Sequence, residues 1–189
     1  FKENKGVALI DYFREKNKTI KQFIDDCFTQ KWQVSNTEQV VGDITVVLNL
    51  YRRPELLQKQ IDHILAQSVL PKFIWVWHNY HEDSKDFDFK SIKGVDRWVT
   101  SNHNWKYFGR FSLGLMAETR FIHFLDCDTF PARDWHKTCI ETYEKSPGIL
   151  GGIGIRLNSI KYADHYRLGW AEPRATIEEV DLVGHSWFL

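Results

Sequence analysis

The sequence predicts an α/β fold: a central, mostly parallel sheet flanked by helices, preceded by a helical N-terminal extension. Two observations carry this. Dense apolar, β-branched or aromatic runs recur, as Ile44-Thr45-Val46-Val47-Leu48-Asn49-Leu50, Phe73-Ile74-Trp75-Val76-Trp77 and Phe121-Ile122-His123-Phe124-Leu125. Such runs mark strands buried on both faces. Between and after them lie segments at helical spacing, and strand–helix alternation packs as a parallel sheet with helices on its faces. The size agrees: 189 residues, 43% hydrophobic and 26% charged, suit a globular domain with a sizeable core.

In chain order, Leu9, Phe13, Ile20, Phe23, Ile24, Cys27 and Phe28 fall near helical spacing. Residues 1–40 are therefore expected to form a helical appendage, broken near Asn17-Lys18-Thr19, that packs on the domain or docks a partner. The first strand begins near residue 43, and Pro54 opens the helix after it, where a missing N–H costs nothing. Leu57, Ile61, Ile64 and Leu65 continue that helix; residues 73–77 form the second strand. A polar loop or short helix spans 78–90, and Arg97-Trp98-Val99-Thr100 is a short third strand. Residues 108–118 read as a helix, 121–125 as the fourth strand, and Trp135, Cys139 and Tyr143 line a further helix that stops before Pro147-Gly148. A glycine-interrupted strand is expected over 149–155, a long polar loop over 157–177 and a strand-like run over 180–189.

Charge and composition exclude several classes. Lys plus Arg equals Asp plus Glu at 25 each, which argues against a non-specific nucleic-acid or membrane-surface binder. No apolar run approaches the roughly 18 residues of a membrane span. The start, Phe1-Lys2-Glu3-Asn4-Lys5, is not a signal peptide. Cys27, Cys127 and Cys139 form no C-x-x-C pair, which mildly favours a reducing compartment; a cytoplasmic location is the expectation. Aromatics reach 15%, with eight Trp, and flat aromatic faces suit sugars and bases as well as cores.

The chemistry concentrates at Asp126-Cys127-Asp128, directly after the fourth strand. In an extended segment residues i and i+2 share a side, so both carboxylates would face one cleft and Cys127 would point away. Two anions so placed repel unless a cation sits between them, and hard oxygen ligands suit Mn2+ or Mg2+. A solvated pair in a turn, one Asp capping the next helix, is the plain alternative. The first strand runs into Tyr51-Arg52-Arg53-Pro54 with no glycine. That excludes the dinucleotide fingerprint and the P-loop. A bound diphosphate would need a metal and side chains such as Arg53, Lys106 and Arg110.

Three pieces, ITVVLNLYRRPELL, SNHNWKYFGRFSLGLMAETRFIHFLDCDTFP and VDLVGHSWFL, resemble the nucleotide-sugar half of GT-A glycosyltransferases. The family-2-like and exostosin-like branches are the most similar, and the middle piece is the specific one. The resemblance covers residues 43–189 and implies a Rossmann-like GT-A catalytic domain, its C-terminal segment lying beyond Leu189. It implies a metal-dependent hexosyltransferase-like enzyme that moves a sugar from a nucleoside diphosphate donor, UDP-linked on resemblance alone, to a hydroxyl on a glycan, glycoprotein or other acceptor. Asp128 would ligate Mn2+ or Mg2+, with Asp126 holding sugar or ribose hydroxyls or a metal-bound water, and His185 standing where some members place a further ligand. Leu50, Tyr51, Arg53, Asn79, Arg110, Asp126, Cys127 and Asp128 would surround the donor, Asn79 replacing the usual acidic base reader. Arg110 is expected to contact the donor, so that its loss weakens binding and leaves the fold intact. Trp105 and Tyr107 are candidate pocket walls, and Tyr166 and Trp170 candidate acceptor-stacking residues. The alternatives are a non-catalytic nucleotide-sugar-binding module of a larger protein and a haloacid-dehalogenase-type phosphatase. In the latter, the D-x-D belongs after the first strand rather than the fourth.

Overall fold

The computed structural model describes residues 39–169 and 176–189. The helices expected before residue 39, and Trp170, lie outside the described residues. Val40, at the edge of that expected extension, belongs to a short strand, β1 (Val40–Val41), paired in parallel with β3 (Val69–Leu70).

The main sheet is built from β2 (Ile44–Leu50), β4 (Phe73–His78), β5 (Arg97–Thr100), β6 (Phe121–Leu125) and β10 (Ser186–Phe188). They lie in the order β10-β6-β2-β4-β5. The pairs β2–β4, β4–β5 and β2–β6 are parallel, and β10 runs antiparallel to β6. The helices are α1 (Leu57–Leu65), α2 (Phe108–Gly114) and α3 (Trp135–Tyr143). Pro54 starts a 3-10 turn, Pro54–Leu56, that leads into α1. The fold is thus the expected α/β arrangement, a mostly parallel sheet flanked by helices.

Strand alternation explains how both faces are covered. Ile44, Val46, Leu48 and Leu50 point into one core with Leu57, Ile61 and Ile64 of α1 and Cys139 of α3. Val47, Trp75 and Phe124 point the other way, against Leu113 of α2. Helix α2 lies close to the sheet because Gly109 rests on the Trp77 ring, where an added Cβ would come within 2.1 Å of the indole.

A second, antiparallel sheet contains β7 (Ile153–Leu157), β8 (His165–Leu168) and β9 (Leu182–Gly184) in the order β8-β7-β9. Strand β8 falls inside the expected long loop; only Leu168 of its four residues is buried, so it carries no apolar pattern. The glycine-interrupted strand starts at Ile153, with Leu150 making a lone bridge to Phe188. Helix α2 ends at Gly114, short of the expected residue 118, where Leu115, Met116 and Ala117 close 3-10-type bonds to Ser112, Leu113 and Gly114. The final strand-like run is two strands in two sheets, divided at His185, whose φ of 64° turns the chain from β9 into β10.

From β2 the chain builds outward through β4 and β5, then returns to lay β6 on the other side of β2. The carboxyl ends of β2 and β6 therefore flank a topological switch point, where open parallel sheets leave a crevice for ligands.

Candidate functional site

The segment after β2 forms one wall of this crevice. Tyr51 is held at both ends: its backbone O accepts from Ser84 Oγ at 2.6 Å, and its hydroxyl accepts from Asn104 Nδ2 at 2.9 Å. Ser84 is in turn 3.2 Å from His78 Nε2, at the end of β4. Burial lowers the pKa of that imidazole, which favours its neutral form. Tyr51, Arg52, Arg53, Asp83 and Cys127 line a cleft of about 440 Å3.

The opposite wall is the turn after β6. Residues 126–129 are not extended: Thr129 N donates to Asp126 O at 3.0 Å, closing a turn. This corrects the expectation that both carboxylates face one way with Cys127 pointing off. Asp126 is drawn inward, with Arg110 Nη1 at 2.5 Å from Oδ1 and His185 Nδ1 at 3.6 Å from Oδ2. Its backbone N donates to His185 O at 3.0 Å. Asp128 points outward and pairs with Arg53 across the crevice. Cys127 lines the cleft, its thiol pKa pushed up by burial and then by Asp128.

The two arginines differ in setting. Arg110 is 2% exposed. Its guanidinium carbon lies 4.9 Å from the Trp187 ring centroid and 5.2 Å from that of Phe111. Among the described residues nothing accepts a hydrogen bond from its Nε or Nη2, so the aromatic faces and Asp126 balance its charge. Arg53 is exposed, and its pKa is raised by the bond to Asp128. Arg110 is therefore a buried partner of Asp126. This setting argues against the expectation that removing it leaves the fold intact, because its loss would strand a partly buried carboxylate.

Other expected residues are placed as follows. Leu50 is core, and its carbonyl accepts from Asn79 N. Asn79 is buried with both amide ends engaged: Oδ1 accepts from Trp105 N at 2.8 Å, and Nδ2 donates to Asn104 Oδ1 at 2.7 Å. It thus sets Asn104, and through it Tyr51, rather than offering a free base reader. Lys106, Trp105 and Tyr107 are exposed, with Lys106 in the left-handed region at φ 53°. His123 is buried in a network of its own: Nδ1 lies 3.0 Å from His136 Nε2, and Nε2 lies 2.8 Å from Ser186 Oγ.

Sequence reasoning missed Gln60. It lies in the buried stripe of α1, 1% exposed, and its Nε2 donates to the carbonyls of Asp126 and Thr129, each at 2.7 Å. The available signal was an amide among Leu57, Ile61 and Ile64, since a buried amide requires partners.

As a metal centre, the donor set is incomplete by itself. Among the described residues no group of three or more His, Cys, Asp or Glu is placed to hold an ion. Asp126, Asp128 and His185 are thus not gathered into a three-ligand cage. One outward carboxylate does fit a cation shared with substrate phosphates, the usual way Mg2+ is held.

No family model matches the chain, and no curated protein matches it. Among solved structures it is similar to TarS from S. aureus in complex with UDP-GlcNAc, at 13% identity and a TM-score of 0.48, over 72% of this chain and 38% of that one. It is likewise similar to the mannosyltransferase PcManGT from Pyrobaculum calidifontis in complex with GDP-Man and Mn2+, at 16% identity and a TM-score of 0.46, over 82% and 44%. The chain spans less than half of either structure. Among the described residues no helix is long and apolar enough to cross a membrane.

Proposed function

We propose that the chain is the donor-binding part of a glycosyltransferase that moves a sugar from a nucleoside diphosphate to an acceptor hydroxyl. The observation that carries this reading is the Arg53–Asp128 pair. It joins the segment after β2 to the turn after β6 across the switch point, beside a cleft walled by Tyr51 and Arg53. An arginine and a carboxylate facing each other there are what a diphosphate with its counter-cation requires. The first turn has no glycine, so side chains rather than backbone N–H groups must meet the phosphates.

In this reading Tyr51 borders the base and Arg53 leaves Asp128 to bind the diphosphate. Asp128 would hold Mn2+ or Mg2+, and the cation, when bound, would supply positive charge to offset the negative charge growing on the leaving diphosphate. Asp126, fixed by Arg110, presents Oδ2 toward His185 and accepts from sugar or ribose hydroxyls. The phosphatase alternative is disfavoured because the turn follows β6, the fourth strand of the main sheet along the chain, rather than β2.

The test is a thermal-shift and calorimetric screen of UDP, GDP and CMP, each with and without Mn2+. One diphosphate, UDP in our reading, should bind with Mn2+ and only weakly in EDTA. Equal affinity in EDTA would remove the shared cation. Binding without slow hydrolysis of the matching nucleotide sugar would favour the non-catalytic module.

A further inference from the structure

Gln60 occupies a position that packing alone would give to an apolar side chain. It shares the stripe of Leu57, Ile61 and Ile64, yet both its N–H groups are spent on one turn, at Asp126 O and Thr129 O. Its Oε1 is buried and, among the described residues, has no hydrogen-bond partner. A buried orphan acceptor is unfavourable, so the amide stays for what its donors hold. Gln67, seven residues on and also buried, provides a built-in comparison. Its Nε2 donates to Ala132 O at 2.5 Å, and its Oε1 accepts from His136 N at 3.0 Å. The two glutamines thus fasten the chain between β6 and α3 at two separate points, and Gln60 alone touches the turn that carries both aspartates.

We propose that Gln60 is a positioning residue for the candidate donor site. Rising from the α1 face of the sheet, it grips the turn's carbonyls, while Arg110 on α2 holds Asp126 from the opposite face; together they fix where Asp126 and Asp128 point. The role in donor binding rests on the glycosyltransferase reading, whereas the grip on the turn does not.

The experiment compares Gln60→Met, Gln67→Met and Gln60→Glu with the wild type. The ligand-free readout is the rate of maleimide labelling at Cys127, resolved from the other cysteines by peptide mass. The second readout is the affinity for UDP and for GDP in Mn2+. Gln60→Met should label roughly tenfold faster at Cys127 and lose a similar factor in nucleotide affinity, the worth of one to two neutral hydrogen bonds. Gln67→Met should leave both within about twofold even if its melting temperature falls as far, because its bonds lie outside the turn. Gln60→Glu keeps one donor while neutral and none when ionised. Measured against wild type at each pH, it should therefore lie between wild type and Gln60→Met in acid and label at least as fast as Gln60→Met in alkali, with the change at Cys127 exceeding what the melting temperature at the same pH accounts for. The pH dependence of Gln60→Glu against wild type stands even if Gln60→Met does not fold. Equal labelling in the two methionine variants, or a pH-independent Gln60→Glu, overturns the proposal. Separated labelling rates in a chain that binds neither nucleotide retain the grip and overturn the glycosyltransferase reading.

Discussion

Asp126 and Asp128 are the same side chain two residues apart, each matched by an arginine, yet they sit in different physical regimes. Asp126 is 28% exposed against an Arg110 that is 2% exposed, whereas Asp128 is 44% exposed against an Arg53 that is 49% exposed. A buried pair cannot lose one partner without leaving a charge in a poor solvent. An exposed pair exchanges partners readily, because water solvates either half. One end of the turn is thus held in place by its buried arginine, with one carboxylate oxygen left to face a ligand, and the other end can exchange its whole ion pair for one.

The largest break in that contrast is Arg110→Ala. It should cost about 3–5 kcal/mol of unfolding free energy, read from urea denaturation, because Asp126 loses its buried partner. Adding Asp126→Asn should recover much of the loss by removing the stranded charge, which would show that the pair and not the cavity dominates. No recovery would assign Arg110 a packing role instead.

Acid should weaken the same half next. Burial lowers the His136 pKa from 6.5 to about 4, and burial together with His136 lowers that of His123 well below its usual value. The unfolded chain therefore binds more protons in this window. Stability contributed by neutral His136 is present above about pH 6.5 and lost as pH falls toward about 4, by up to about 3 kcal/mol. The network reaches Ser186 on β10, so the β10 side of Asp126 should loosen with it. Urea midpoints across that range check this, and His136→Gln should flatten the slope if it folds.

The smallest effect on stability belongs to the exposed pair. Asp128→Asn and Arg53→Gln should leave the melting midpoint essentially unchanged in the absence of ligand. Each should sharply reduce Mn2+-dependent nucleotide binding by calorimetry. A wild-type Mn2+ response in Asp128→Asn would remove Asp128 from the cation site.

What the sequence discloses follows the range of the interaction. Strands β2, β4 and β6 are legible because burial on both faces writes a continuous apolar run, and Asp126 and Asp128 are legible from their place after one. The turn geometry is not, because Gln60 dictates it from 66 residues away. Strand β8 is hidden because His165, Tyr166 and Arg167 lie at an exposed sheet with no alternation to read. The inward setting of Arg110 depends on Trp187, which arrives on β10, a strand that pairs antiparallel with β6 from the far end of the chain.

That late arrival bears on how the molecule is made. Asp126 N needs His185 O, His123 needs Ser186, and Arg110 needs Trp187, all in the segment after Gly184. On a ribosome, β2, α1 and β4 can meet as soon as they emerge, because their contacts are near in sequence. The inward half of the turn must wait some 60 residues after its own synthesis, until β10 is free to pair. A nascent chain stalled before that point would hold β2, β4, β5 and β6 while its Asp126 remained uncommitted, so this part of the candidate site is finished only when β10 joins.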